Sequence, residues 1–305
     1  MNNIYQKNVF TIALVNARSL TNKLQSLRIN MEELASDVCL LTETWFKNTY
    51  KMKNELEDFK QQHGYDFIRQ DRRTNKRGGG VAVCFNTDRI QLVKAKLPPT
   101  KHEVMAAVGR RTGQRRKVVF IVVYIPPHYN AEQNRALYRY TNDAVLKIKS
   151  KYDDPYIVYG GDFNRRNFRA SIVDYPEIKE IHTQATRGSA VLDILGSNMN
   201  DSLIDSGVTE AIVTEEGVET DHLTVFATFR MQRVPSYSIE EYSYRHLTEE
   251  GHLKFGEWID RYDWSKIMDE QDVDEIVKRL HLAYEEGLND CYEYKTGRKK
   301  SSEPA

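Results

Sequence analysis

Short blocks of apolar residues, each bounded by polar or turn-forming residues, recur along the first 230 residues of the chain. Many are rich in β-branched residues and are too short for helices, so they predict strands. Longer stretches with apolar residues three or four positions apart predict helices near residues 20–34, 54–63 and 132–152. The strands are predicted at residues 10–17, 38–41, 65–69, 81–85, 90–95, 103–108, 118–125, 156–159, 191–195 and 223–229.

The first strand, helix and second strand form a βαβ unit. Ser19 is expected to cap the helix, because a serine hydroxyl can accept a hydrogen bond from a free amide of the first turn. A βαβ connection argues for parallel pairing of its two strands. Asn16 and Glu43, which end the two strands, should therefore lie at the same edge of a sheet.

Strands with few helices continue to residue 230, which indicates an α/β domain built on two sheets over residues 8–230. Val234, Pro235 and Ser236 mark a boundary. Beyond it the apolar spacing becomes helical, so residues 231–305 are predicted to form a helical extension. Its last residues, Arg298 to Ala305, are polar and charged, and we expect them to be disordered.

The stretch YIVYGGDFN at residues 156–164 is the strongest local indication of chemistry. An apolar strand ends in Gly160 and Gly161, followed directly by Asp162 and Asn164. Residues two apart on an extended backbone point the same way, so a carboxylate and an amide share one face at the end of a core strand. A turn in which both side chains only cap backbone donors would explain the same four residues, and taken alone GDFN favours that explanation.

Composition narrows the class of protein. Charged residues make up 29% of the 305 residues and hydrophobic residues 40%, which is ordinary for a globular protein. No apolar run reaches the length of a membrane span and the N-terminus has no long apolar segment, so we expect neither a membrane protein nor a secreted one. The three cysteines are far apart, and we expect free thiols in a reducing compartment.

Charge is unevenly distributed although the net charge is zero. Residues 231–305 contain 11 basic and 17 acidic residues, whereas residues 1–230 contain 33 basic and 27 acidic residues. In the first part the basic residues cluster at 69–77, 110–117 and 165–169. Any one cluster is best explained as a solvated loop, but three together favour binding to a phosphate backbone.

Polar residues end five predicted strands and interrupt a sixth. Asp193 lies inside the apolar sequence VLDIL, where an acid needs a partner. Each residue has an ordinary structural explanation, yet the joint pattern is much harder to explain that way. The residues are Asn16, Glu43, Tyr124, Asp162 with Asn164, Asp193, and Asp221 with His222.

This ordered set resembles the exonuclease–endonuclease–phosphatase superfamily, in which an Asn, a Glu, a Tyr, GDxN, a buried Asp and a terminal (S/T)DH follow one another. NARSLTNK, LLTETWF, GGGVAVCF, ATRGSAVLDIL and ETDHLTVFATF further resemble the endonuclease domain of Jockey-like non-long-terminal-repeat retrotransposons. The resemblance covers about residues 8–230 and implies a four-layered α/β sandwich, two mixed sheets flanked by helices. Thr220, where many members have Ser, and the Arg165-Arg166 loop depart from the common pattern.

The resemblance implies a role for each residue. Glu43 is a hard oxygen ligand suited to Mg²⁺, for which Mn²⁺ can substitute, with Asn16 and Asp221 as direct or water-mediated partners. Asp162 positions or deprotonates the attacking water and Asn164 orients it. Two further groups stabilise the charged transition state: His222, held by Asp193, and Tyr124. The expected reaction is hydrolysis of a DNA phosphodiester to 3′-hydroxyl and 5′-phosphate ends.

Two loops are candidates for contacts with double-stranded DNA. One contains Arg165 and Arg166, directly after the GDFN stretch. The other contains Thr186 and Arg187 and resembles a short hairpin tip that could enter the minor groove. A surface turn explains this second loop almost equally well.

Other functions remain open at this point. An abasic-site repair endonuclease or a phosphomonoesterase of the same superfamily would share the core motifs, and an inactive remnant that binds nucleic acid is a third alternative. The retrotransposon interpretation implies a reverse transcriptase domain as a partner in a full-length element. It also implies a nuclear or otherwise cytoplasmic location.

Overall fold

The structure is a computed structural model that describes residues 8–72, 78–214, 216–231 and 237–304. The chain divides into two compact units, Met1–Val234 and Pro235–Ala305. The helices and strands of the first unit are β1 Val9–Asn16, α1 Leu24–Glu33, β2 Val38–Thr42, α2 Tyr50–His63, β3 Tyr65–Gln70, β4 Val81–Asn86, β5 Ile90–Lys94, β6 Glu103–Arg111, β7 Val118–Tyr124, α3 Ala131–Lys151, β8 Tyr156–Asp162, β9 Lys179–Glu180, β10 Asp193–Ser197, β11 Leu203–Thr209 and β12 Thr224–Arg230.

Two six-stranded sheets form the first unit. Their strand orders are β11-β12-β1-β2-β4-β3 and β5-β6-β7-β8-β10-β9. Strand β1 is parallel to β2, and β7 is parallel to β8, whereas the other named pairs in these sheets are antiparallel. Both sheets are therefore mixed and are flanked by helices, which confirms the predicted α/β sandwich and the βαβ unit.

The alternation of β7 shows why its sequence is apolar throughout. Phe120 and Val122 pack into the core between the sheets, and Ile121 and Val123 pack on the opposite face with Leu137 of α3. A third core lies between the first sheet and the helices α1 and α2. Burying one large apolar side chain stabilises the fold by about 1.5–3 kcal/mol, so three cores hold the central strands rigidly.

The start of α1 differs from the prediction. The helix begins at Leu24 after Lys23, with no side-chain cap, and Ser19 lies outside it with φ 86°. The amide of Ser19 instead donates to the carbonyl of Glu43 at 2.8 Å. This contact between two loops that are distant in sequence replaces the expected cap.

The second unit contains three helices and one strand pair among its described residues. They are β13 Tyr237–Arg245, α4 Glu249–Arg261, α5 Ser265–Met268, α6 Val273–Cys291 and β14 Tyr294–Pro304. The expected disorder after Arg298 is wrong for this structure, because β14 pairs antiparallel with β13 up to Pro304. Backbone pairing needs no apolar side chains, so the polar composition was a poor guide there. In the described part of the chain, no helix is long and apolar enough to cross a membrane.

Candidate active site

Four of the predicted site residues end a central strand or directly follow one, and they are Asn16, Glu43, Tyr124 and Asp162. In the parallel pairs, Asn16 is opposite Thr42 and Tyr124 is opposite Asp162. The amide of Leu20 donates to Thr44 at 3.0 Å, which ties the loop after β1 to the loop after β2. Rigid strands and tied loops therefore deliver polar side chains to one end of the sandwich.

Glu43 is held by two donors. Its backbone has φ 49°, in the left-handed region, and that of Trp45 has φ 55°. The Tyr124 hydroxyl donates to Glu43 Oε1 at 2.9 Å, and the Trp45 indole donates to Oε2 at 3.1 Å. Burial and the neighbouring charge of Glu43 raise the pKa of Tyr124 well above its ordinary value, so the phenol remains a neutral donor.

Asp162 is the most heavily hydrogen-bonded carboxylate of the site. It is 1% exposed. Its Oδ2 accepts from the amides of Asn16 at 2.8 Å and Asn164 at 3.0 Å, and its Oδ1 accepts from the backbone N–H of Asn164 at 2.8 Å. Burial first, and then the charge of Asp193, raise the pKa of Asp162 to about 7. This carboxylate is poised to exchange a proton near neutral pH.

The glycine before Asp162 allows this close packing. Gly161 has φ 153°, and a Cβ there would overlap the carbonyl oxygen of Val123 on β7. Asn164 follows with φ 45°, and its amide also donates to the Ile125 carbonyl at 2.9 Å. The YIVYGGDFN stretch is thus more than a capping turn, since Asn164 orients Asp162 against the neighbouring strand.

Asp193 and His222 form a buried pair, as the sequence predicted. His222 Nδ1 donates to Asp193 Oδ2 at 2.6 Å, and the two residues are 3% and 0% exposed. Burial alone would lower the pKa of His222, but the hydrogen bond to Asp193 and the charges of Asp193 and Asp162 raise it. The imidazole is therefore favoured in its protonated form.

Asp162, Asp193 and His222 bring one ligand atom each within 4.8 Å of one another. These three buried side chains could hold a metal ion. Sequence reasoning did not assign a metal to this group. Asp193 Oδ1 has no hydrogen-bond partner among the described residues, so it retains free acceptor capacity.

Asp221 lies in a different environment from the one predicted. Arg18 Nη1 donates to its Oδ2 at 2.7 Å, and Arg187 Nη2 pairs with the same oxygen. Burial alone would raise the pKa of Asp221, but the hydrogen bond from Arg18 and the charges of both arginines lower it. Sequence reasoning missed Arg18, because neither charge clustering nor periodicity marks a single arginine in a loop.

The four predicted DNA-contacting residues have three different environments. Arg165 is exposed, and both it and Arg187 line a cleft of about 610 Å³ beside Asn164 and Asp221. Arg166 instead donates to the Tyr129 carbonyl at 3.0 Å, so part of its guanidinium is used within the fold.

The prediction that Thr186 contacts DNA is wrong for this structure. Thr186 is fully buried, and its hydroxyl accepts from the amides of Leu192 at 3.0 Å and Asp193 at 3.1 Å. The predicted short hairpin does form, with Arg187 and Ala190 bonded to each other through their backbones. Thr186 anchors the base of this hairpin and cannot reach a groove of DNA.

Comparisons with known proteins agree with this geometry. The model of the endonuclease/exonuclease/phosphatase family matches residues 7–207. A search of curated protein sequences found no match.

Solved structures share the fold at low identity. The endonuclease domain of TRAS1, a telomere-specific non-LTR retrotransposon, is 12% identical with TM-score 0.53, covering 74% of this chain and 100% of that domain. D. rerio TDP2 complexed with single-strand DNA product is 14% identical with TM-score 0.53, covering 73% and 99%. An AP endonuclease from Archaeoglobus fulgidus is 14% identical with TM-score 0.52, covering 72% and 99%.

Proposed function

The chain belongs to the endonuclease/exonuclease/phosphatase family, and we propose that it is a Mg²⁺-dependent DNA endonuclease that nicks target DNA, as in retrotransposon integration. The observation that carries this proposal is the buried carboxylate of Asp162. It is hydrogen-bonded by Asn16 and Asn164, at the strand ends that also carry Glu43 and Tyr124. A buried, oriented carboxylate with a pKa of about 7 is suited to general base catalysis.

The residues present fit a hard divalent cation. Glu43 accepts hydrogen bonds only from neutral donors among the described residues, so its negative charge is not balanced by an ion pair there. Burial raises the pKa of Asp162 most, the charges of Asp193 and Glu43 raise it further, and the charge of His222 lowers it. Carboxylate and amide oxygens are the ligands that Mg²⁺ prefers, and Mn²⁺ is expected to substitute.

We assign the cation to Glu43, with Asn16 as a direct or water-mediated partner. A bound Mg²⁺ would neutralise the scissile phosphate and stabilise the leaving 3′-oxygen. Tyr124 and Trp45 orient Glu43 through its two oxygens. This role for Tyr124 differs from the predicted stabilisation of the transition state, because its hydroxyl is already committed to Glu43.

The chain's own residues would act on water and phosphate. Asp162 takes a proton from the attacking water, and Asn164 holds that carboxylate in place. Water attacks phosphorus as the bond to the 3′-oxygen breaks, and the leaving 3′-oxygen takes a proton from solvent, which leaves 3′-hydroxyl and 5′-phosphate ends. His222, held and kept protonated by Asp193, donates to the phosphate oxygens as negative charge develops.

DNA is the favoured substrate because of the charge around the site. Exposed arginines, Arg165 and Arg187, line the cleft next to Asn164, and positive side chains supply most of the affinity for a phosphate backbone. The proposal includes a retrotransposon origin, a reverse transcriptase partner and a nuclear location; the TRAS1 domain, at 12% identity, shares the fold alone. The particular residues of the sequence motifs favour a Jockey-like element.

A panel of substrates separates this function from its alternatives. Purified full chain with Mg²⁺ should cut an undamaged 40-base-pair duplex and leave 5′-phosphate ends. A duplex with one tetrahydrofuran abasic analogue should be cut at a similar overall rate, and p-nitrophenyl phosphate should be a poor substrate. Cutting confined to the abasic position would establish repair activity instead, and rapid release of nitrophenol would establish a phosphomonoesterase. Binding to the duplex without any cutting would indicate an inactive remnant that only binds nucleic acid.

A further inference from the structure

Two arginines from distant parts of the chain converge on one carboxylate oxygen. Arg18 Nη1 lies 2.7 Å from Asp221 Oδ2, and Arg187 Nη2 pairs with the same atom. The side chains of Arg18, Arg187 and Asp221 are 47%, 44% and 35% exposed. One carboxylate balances one guanidinium, so this group retains a net positive charge and remains accessible to a ligand.

The backbone holds both arginines in place. Arg18 has φ 40°, and the next residue, Ser19, is bonded to the loop of Glu43. Arg187 stands at the start of the hairpin that is closed by Ala190 and anchored by Thr186. Isolated exposed ion pairs contribute little to stability, so this three-residue cluster is better explained by binding than by folding.

Within the described part of the chain, both guanidiniums also have hydrogen-bonding capacity beyond Asp221. Each guanidinium carries five N–H donors and offers one nitrogen to Asp221. The cleft of about 610 Å³ that contains Arg187 and Asp221 also contains Asn164, which bonds the proposed base. An anion bound by Arg187 in this cleft would lie beside Asn164.

We propose that Arg18 and Arg187 form a subsite for one non-scissile phosphate of the DNA strand, and that Asp221 is the positioning residue that holds both guanidiniums. This rests on the proposed DNA substrate. It differs from the predicted role of Asp221 as a metal partner, since both guanidiniums pair with its Oδ2 atom. A guanidinium pair gripping one phosphate would fix the register of the strand across the site.

Binding of an uncut duplex tests the subsite without requiring cleavage. Affinity of the full chain for a 20-base-pair duplex is measured in EDTA by fluorescence anisotropy at several salt concentrations. The variants are Arg18→Gln, Arg187→Gln and the double variant. Arg230→Gln is the matched control, since Arg230 is exposed, lies in none of the basic clusters, and pairs with Val9 at the end of β1 opposite to Asn16.

If the arginines share one phosphate, the slope of log affinity against log salt should decrease by about 0.9 in the double variant. Each single variant should weaken binding by roughly threefold to tenfold, and the two effects should not add, since the groups contact one ligand. An unchanged slope, a slope equal to that of Arg230→Gln, or a decrease of about 1.8 with additive effects would overturn the shared subsite.

Asp221→Asn tests the role of the carboxylate. Calorimetric titration of the chain with Mg²⁺ alone should give the same affinity for wild type and Asp221→Asn within about twofold, because Glu43 is unaltered. The non-additivity between Arg18→Gln and Arg187→Gln should disappear in the Asp221→Asn background. A loss of Mg²⁺ affinity of tenfold or more would show that Asp221 is a metal partner and would overturn its positioning role.

The two proposals fail separately. A chain that binds the duplex with the expected slopes but does not cut it refutes the proposed endonuclease activity and supports the phosphate subsite. A chain that cuts DNA while its slopes are insensitive to both arginines refutes the subsite alone.

Discussion

Single side chains at this site are held by partners that the linear sequence does not place nearby. Asp162 is oriented by Asn16 from another strand, and Glu43 by Tyr124 from the other sheet. Their position at the ends of predicted strands made it possible to predict which residues belong to the site. Their hydrogen bonds depend on how the two sheets pack, and no local pattern encodes that.

The Asp193–His222 pair gives a prediction at this scale. Asp193→Asn removes the charge that keeps His222 protonated and replaces an acceptor by an amide. The rate of DNA cleavage should fall by about 100-fold or more, since losing one oriented donor to a transition state costs that much. Duplex affinity in EDTA should change by less than about threefold.

Equal loss of affinity and cleavage in Asp193→Asn would contradict the catalytic role of the pair. Circular dichroism of the same preparation checks that the fold is intact.

Thr186 gives a second prediction. Thr186→Val preserves shape but leaves the buried amides of Leu192 and Asp193 without their acceptor. The free energy of unfolding should fall by about 1–3 kcal/mol, measured by urea denaturation. Thr186→Ser, which keeps the hydroxyl, is the matched control. A stable Thr186→Val chain with weakened DNA binding would restore the original prediction for this residue.

Among the elements, strands buried on both faces were the most predictable. For β7 and β8, continuous apolar runs located the strands closely. Strand β11, with the sequence LIDSGVT, was missed because it is a largely polar edge strand that owes its conformation to pairing with β12. The loop at Arg18 and Ser19 was mispredicted as a helix cap for a similar reason, since backbone bonds to the loop after β2 decide its course.

The hairpin at residues 187–190 is the element through which DNA sequence preference is testable. Its exposed tip projects beside the cleft that contains Asn164. Replacing Arg187 to Ala190 by a neutral Gly/Ser turn should change the positions of nicks along a plasmid, because groove contacts rather than site residues select sequence. High-resolution mapping of nick positions provides the measurement. An unchanged pattern would show that the hairpin is only a turn.

At the scale of the whole molecule, the first unit contains every residue of the proposed site. It has its own cores between and outside the two sheets. Helical spacing identified α4 and α6 of the second unit, whereas the β13–β14 pair was not anticipated because its side chains carry no clear apolar alternation.

Truncation tests whether the first unit is sufficient. A chain of residues 1–234 should fold and cut duplex DNA within about threefold of the full-length rate, because a unit with its own core can fold alone. Cooperative thermal unfolding and the cleavage rate are the two measurements. A truncated chain that folds but has lost more than tenfold in rate would show that residues 235–305 contribute to activity.

Nicking of supercoiled plasmid by the purified full chain measures most directly whether the proposed active site hydrolyses DNA. Wild type should convert supercoiled to open circular DNA with Mg²⁺ and not with EDTA. Glu43→Gln should lose at least about 100-fold in rate, because it removes the charge proposed to hold the cation. Glu33→Gln, the same change at an exposed position of α1, should nick like wild type. Wild-type nicking by Glu43→Gln, or no Mg²⁺-dependent nicking by the wild-type chain, would contradict the proposed endonuclease.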